Sequence, residues 1–195
     1  MNFLVAAHSD VGIKKSTNQD SLCIKTANTD LGKVAFVVLG DGMGGLSKGE
    51  LASATIVTAF SDWFTEELPK LLYSNFTEDI LKVQWQDIAF EKNTKLMDYG
   101  KAHGVNIGTT VTVLLIAKDR YYVFNIGDSR AYEISDNLFQ ITEDQTFVGR
   151  EVKRGNMTVE QAKNDPRRNV LLQCVGASNV IQPDFFSGEV KKNTV

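Results

Sequence analysis

Residues 34–45 read Val-Ala-Phe-Val-Val-Leu-Gly-Asp-Gly-Met-Gly-Gly, an unbroken apolar run that passes directly into a glycine cluster carrying one carboxylate. Such a run predicts a short strand buried on both faces. Glycine permits backbone shapes that side chains forbid. A strand of this kind holds its last residue rigidly, so Asp41 can aim its carboxylate into a cleft while the carbonyl of Gly42 faces the same ion. Hard cations such as magnesium and manganese take all-oxygen shells of that type. Taken alone, the pattern equally describes a tight turn after a strand, because short glycine motifs match by chance.

Upstream, Phe3–Ala7 is a short apolar run read as a first strand, Ser9-Asp10-Val11-Gly12 marks a turn, and residues 21–25 read as a further strand. Downstream, Glu50–Glu67 carries enough apolar positions for a largely buried helix, punctuated by Pro69. A second helix is predicted over Phe76–Met97, with Gly100–Gly108 as a connection. Then Thr109–Ala117, Tyr121–Ile126 and Arg130–Ile134, rich in β-branched and aromatic residues, read as an antiparallel meander. Glu143–Asn164 is polar and helix-prone. Strands, two helices and more strands in that order predict an α+β layered domain.

The chain has 195 residues, 43% hydrophobic and 23% charged, which suits one soluble domain with a substantial core. A formal net charge of −3 argues against a nucleic-acid binder, since affinity for phosphate backbones comes from clustered Lys and Arg. Cys23 and Cys174 are far apart and read as core thiols. His8 and His103 are the only histidines, too few for a zinc site built on imidazoles. The first apolar stretch has no basic residues before it and makes a poor signal peptide, and no run approaches a membrane span. The expected location is the cytoplasm.

Four other patterns admit a functional and a plain reading. In Asn18-Gln19-Asp20, preceded by Lys14 and Lys15, Asp20 could join a metal site through water while a lysine meets an anion; the plain reading is a solvated turn. Gly127-Asp128-Ser129-Arg130 is a β-turn, or a turn in which Asp128 serves the same cleft. Gly108-Thr109-Thr110 opens a strand with small residues that allow close packing. Thr142-Glu143-Asp144 could cap the helix-prone segment. The chain has neither a P-loop nor a GxSxG nucleophile elbow.

In order along the chain, NQD at 18–20, DGMGG at 41–45 with Gly49-Glu50 and Ala52-Ser53 after it, GTT at 108–110, GDSR at 127–130, TEDQTFV at 142–148 and PRRNVLLQCVG at 166–176 resemble the type 2C metal-dependent protein phosphatases, the PPM family, in its bacterial form. Each motif is weak, but the ordered set covers nearly the whole chain. The resemblance implies a central antiparallel β-sandwich flanked by helices, with residues 1–195 forming the larger, N-terminal part of a single phosphatase domain. It implies two manganese or magnesium ions bridged by Asp41, with the Gly42 carbonyl contributing and Asp20 holding metal-bound water. Asp128 matches a position associated with a third ion. Residues 146–165 correspond to a flap beside the cleft. The implied reaction is hydrolysis of phosphoserine or phosphothreonine by metal-activated water, with no covalent intermediate. The implied partners are phosphorylated proteins and a serine/threonine kinase, and the chain is expected to act as a monomer, without nucleic acid or membrane.

Two departures qualify this resemblance. The family usually places arginine where Lys15 stands, and lysine grips the substrate phosphate without the two-pronged geometry. The family's later acidic ligands, in an SDG strand end and a terminal DN motif, have no counterpart up to Val195, so the sandwich is expected to be incomplete at the C-terminus. The alternative function is therefore a catalytically impaired phosphoprotein-binding or regulatory module.

Overall fold

The computed structural model describes residues 2–13, 15–30, 32–43, 48–74 and 76–190. Gly44 and Gly45 of the glycine cluster, and Lys14, lie outside them. Strands β1 (Asp20–Thr29) and β2 (Gly32–Asp41) pair antiparallel along their whole length, and β2 continues into β3 (Val111–Ala117) and β4 (Arg120–Ile126). Between β2 and β3 lie three helices: α1 (Gly49–Glu66), α2 (Leu68–Tyr73) and α3 (Glu78–His103). Strands β5 (Tyr132–Ile134) and β6 (Leu138–Gln140), helices α4 (Phe147–Lys153) and α5 (Val159–Asn164), and β7 (Asp184–Glu189) complete the order. The main sheet runs β1-β2-β3-β4-β7, and β5 with β6 forms a separate two-stranded ribbon. The class is α+β, an antiparallel sheet flanked by helices, as the sequence predicts.

Alternation sorts the sheet into two faces. Val34, Phe36 and Val38 of β2, with Val113, Leu115 and Phe124 on its neighbours, meet the helices and are buried. Trp85 of α3 sits at the centre of that layer, fully buried, with the rings of Phe36, Phe60, Trp63, Phe124 and Phe185 around it. On the opposite face Val37 and Leu39 are only half-buried. Burial of β2 is thus complete on the helix side and partial on the other, where only Ala35 is fully covered.

Other expectations shift for local reasons. Phe3–Ala7 has no strand partner among the described residues, and Leu4 is fully exposed. Residues 130–134 do not extend the meander: β4 is flanked instead by β7, and only Tyr132–Ile134 pairs, with β6. Helix α3 begins at a Thr77 cap whose hydroxyl accepts from Ile80 N–H at 3.3 Å, and runs past Gly100 to Gly104, where φ is 63°. Gly100 is glycine because a Cβ there would lie 2.8 Å from the Val105 carbonyl as the chain folds back. Pro69 does not merely end α1; it sits in the first turn of α2, where its missing N–H costs nothing. No helix among the described residues is long and apolar enough to cross a membrane.

Candidate metal centre

The register of the first hairpin sets Asp20, the first residue of β1, directly opposite Asp41, the last of β2. Cross-strand partners hold their Cβ atoms about 5 Å apart, so two carboxylates face each other at the open end of the sheet. Like charges placed this way destabilise a sheet unless a cation lies between them. The pKa of Asp41 rises from the ordinary 3.8 to about 6. Although the residue reaches solvent, desolvation by the surrounding protein is the largest cause, the Asp20 charge and hydrogen bond come next, and Asp128 adds a smaller push. Lys15 works in the opposite sense.

The strand end is gripped from several sides. Gly42 N–H donates to the Gln19 carbonyl at 3.1 Å, and Ser53 Oγ, on α1, donates to the same carbonyl at 2.6 Å. Asn18 Oδ1 accepts from Asp20 N–H at 3.0 Å, closing the turn that leads into β1. On the other flank, Asp41 N–H donates to Thr110 Oγ1 at 3.1 Å, and Thr109 Oγ1 donates back to the Asp41 carbonyl at 3.0 Å. Met43 N–H donates to Gly108 O at 3.0 Å. A Cβ on Gly42 would collide with the Gln19 carbonyl and come 2.6 Å from that of Gly49. Glycine is required there by close approach.

Asp10, Lys15, Asn18, Asp20 and Asp41 line one cavity of about 380 Å³. The structure therefore brings together Asp20, Asp41 and Lys15, with Gly42 buried directly behind Asp41. It does not bring Asp128 into the same cavity. Asp128 lines a larger neighbouring cleft of about 1190 Å³, walled by α4 and α5, together with Arg130, Asp144 and Asp184. There burial, then the charge of Asp144, raises its pKa, while its own backbone N–H and Arg130 oppose. Arg130 is itself clamped by Asp144, Nε to Oδ1 at 2.7 Å. Among the described residues no three acidic, histidine or cysteine side chains converge closely enough to hold an ion by themselves.

Whether a divalent cation suits this site can be judged from its donors. The two opposed carboxylates, with the backbone carbonyl of the adjoining Gly42, offer only oxygen, the preference of hard cations. Burial and the Asp20 charge hold the Asp41 pKa near 6, and a bound cation would offset both. The residues fit.

By sequence Thr109 and Thr110 read as small packing residues; their hydroxyls in fact hold the Asp41 backbone. Two threonines opening a strand, where buried hydroxyls need partners, were the available signal. The cap expected of Thr142 or Asp144 belongs to Thr146, whose hydroxyl accepts from Gly149 N–H at 3.0 Å. Thr142 instead accepts from Ala131 N–H, and Asp144 is committed to Arg130.

Known proteins resemble this chain in sequence and fold. The serine/threonine phosphatase stp of Listeria welshimeri is 33% identical over 154 residues, 77% of this chain, and the match spans 59% of that relative's length. Among solved structures, the serine/threonine phosphatase Stp1 from Staphylococcus aureus superposes with a TM-score of 0.79 at 28% identity, covering 92% of this chain and 68% of its own. The catalytic domain of the serine threonine protein phosphatase PstP, in complex with two manganese ions, superposes at 0.73 with 28% identity, covering 97% and 73%. The family model for protein phosphatase 2C runs from residue 10 to residue 180, through Asp20, Asp41 and Asp128, and the chain belongs to that family.

Proposed function

We propose that this chain carries the site of a metal-dependent serine/threonine protein phosphatase, in which Asp41 and Asp20 hold divalent cations and the Gly42 carbonyl adds a neutral oxygen. The observation that supports it most is the facing Asp20–Asp41 pair, where burial first and the Asp20 charge second disfavour the Asp41 carboxylate. When bound, such ions polarise phosphoryl oxygens and make water nucleophilic at neutral pH. Asp41 and Asp20 anchor and orient the ions from a strand end held by Thr109, Thr110 and Ser53. Lys15 brings its ammonium to the same cavity and meets the phosphate of a phosphoserine or phosphothreonine side chain. Asp128, one cleft away, is the candidate for a third, more weakly held ion. Helices α4 and α5, within 146–165, act as the flap that selects the protein substrate.

Manganese is the favoured ion, because a solved relative contains two of them; magnesium is the alternative. A serine/threonine kinase supplying the phosphoprotein, and action as a monomer, complete the reading. Release of inorganic phosphate from a phosphothreonine peptide, measured with and without manganese, tests it. Turnover that requires the metal and disappears in Asp41→Ala is expected. Peptide binding without turnover would replace the enzyme by a phosphoprotein-binding module.

A further inference from the structure

Thr109 grips Asp41, and Thr109 is itself held from further away. It forms no part of a strand ladder, but joins three chain segments through isolated bridges, to Gly42 on one side and Val175 on the other. The second bridge is reciprocal: Thr109 N–H donates to Val175 O at 3.0 Å and Val175 N–H donates to Thr109 O at 2.9 Å. Single bridges lack neighbouring rungs, so their geometry is only as fixed as the segment they lean on.

The segment carrying Val175 is tied to α3 by one side chain. Asn93 is 5% exposed, deep in the helix layer. Its Oδ1 accepts from Gly176 N–H at 2.7 Å and its Nδ2 donates to Ser178 O at 2.9 Å. Ser178 Oγ in turn accepts from Cys174 N–H at 2.9 Å. Gly176 has a φ of +96°, and a Cβ there would come within 3.1 Å of both the Ile107 carbonyl and Leu96, so this loop lies tight against α3.

We propose that Asn93 is a positioning residue for the metal centre: through the loop at 174–178 and Thr109 it sets the place of the Asp41 backbone, and so of its carboxylate and the Gly42 carbonyl. The inference rests on the metal-site reading above. A buried amide that satisfies both a donor and an acceptor of one loop is a rigid two-point clamp. Groups one step removed from a metal's ligands change its affinity by about 10- to 100-fold when lost. Asn93 acts further back, so an effect near the lower end is expected.

The test compares Asn93→Leu, close in size but unable to clamp, with Leu71→Ala, a core truncation on α2 that weakens the fold without touching this chain of contacts. Ser178→Ala is a milder variant, losing only the Cys174 contact, should Asn93→Leu not fold. Manganese affinity is measured by calorimetry beside melting temperature and amide hydrogen exchange at Thr109, Thr110 and Val175. The expected result is affinity about tenfold weaker in Asn93→Leu, about two- to threefold weaker in Ser178→Ala, and unchanged in Leu71→Ala, with faster exchange in the first two only. Wild-type affinity in Asn93→Leu or Ser178→Ala, with only the melting temperature lowered, overturns the proposal and leaves the metal site standing. A wild-type chain that binds no manganese removes both, and the exchange data then show a clamp of purely structural use.

Discussion

Asp41 holds a proton more tightly in the folded chain than an unfolded aspartate does, and this fixes the sign of its pH dependence. Between the ordinary value of 3.8 and about 6 the folded state binds more protons, so this group's contribution to stability is fully present below about pH 4 and lost as pH rises through 6. A divalent ion competes with that proton. Manganese affinity should therefore climb as pH rises through 6 and level off above it; a calorimetric titration from pH 5 to 8 checks this, and a flat profile would separate Asp41 from the metal. Gly42 permits a different prediction. Its Cβ has no room between Gln19 and Gly49, so Gly42→Ala should destabilise the chain by about 1–3 kcal/mol, the range for forced overlap, as read by denaturant unfolding.

The tight hairpin joining β3 to β4 shows how elements carry local strain. Ala117 pairs with Arg120, leaving Lys118 and Asp119 as the two-residue loop, with φ of 51° and 59°. That left-handed conformation matches the twist of a hairpin but suits asparagine and glycine better. Replacing Lys118-Asp119 by Asn-Gly should stabilise the chain by about 1 kcal/mol, measured as a shift of the urea midpoint without change of slope. Much of the element order was legible in the sequence: the apolar run of β2, the periodicity of α1, and the β-branched content of β3 and β4. What escaped was decided by partners. Strand β7 contains Gly188, which reads locally as a breaker, yet the Tyr121 ring of the neighbouring strand covers it so closely that a Cβ would lie 2.5 Å away. Gly100 likewise hides the last turn of α3. Phe3–Ala7 has the composition of a strand, but composition supplies no partner.

At the scale of the whole molecule, an aromatic core behind the sheet stiffens the frame that holds the acidic pair at its rim. Trp85 is the centre of that core, and its buried Nε1 has no hydrogen-bond partner among the described residues. Trp85→Ala should cost about 3–5 kcal/mol through the cavity it leaves, whereas Trp85→Phe should cost distinctly less, because it also removes an unsatisfied donor; paired denaturation curves would show the difference. The candidate site was legible in outline for the same reason: Asp41 ends the strand whose apolar run, Val34 to Leu39, the core buries on its helix side. Its frame was not, because Thr109, Thr110 and Val175 meet across folds of the chain that no local pattern encodes. The separation of Asp128 into a neighbouring cleft was equally invisible, since spacing along the chain says nothing of which wall a turn faces.

The central claim is that Asp41 and Asp20 repel each other until a divalent cation joins them, and thermal unfolding of the wild type and Asp41→Asn at pH 7, with and without manganese, tests it most directly. Without metal, Asp41→Asn should melt above the wild type, because the repulsion is gone. With manganese the wild type should rise, as linkage to a ligand of the folded state demands, and the variant should not. Equal stabilisation of both chains by manganese, or a metal-free variant that melts below the wild type, would contradict the account.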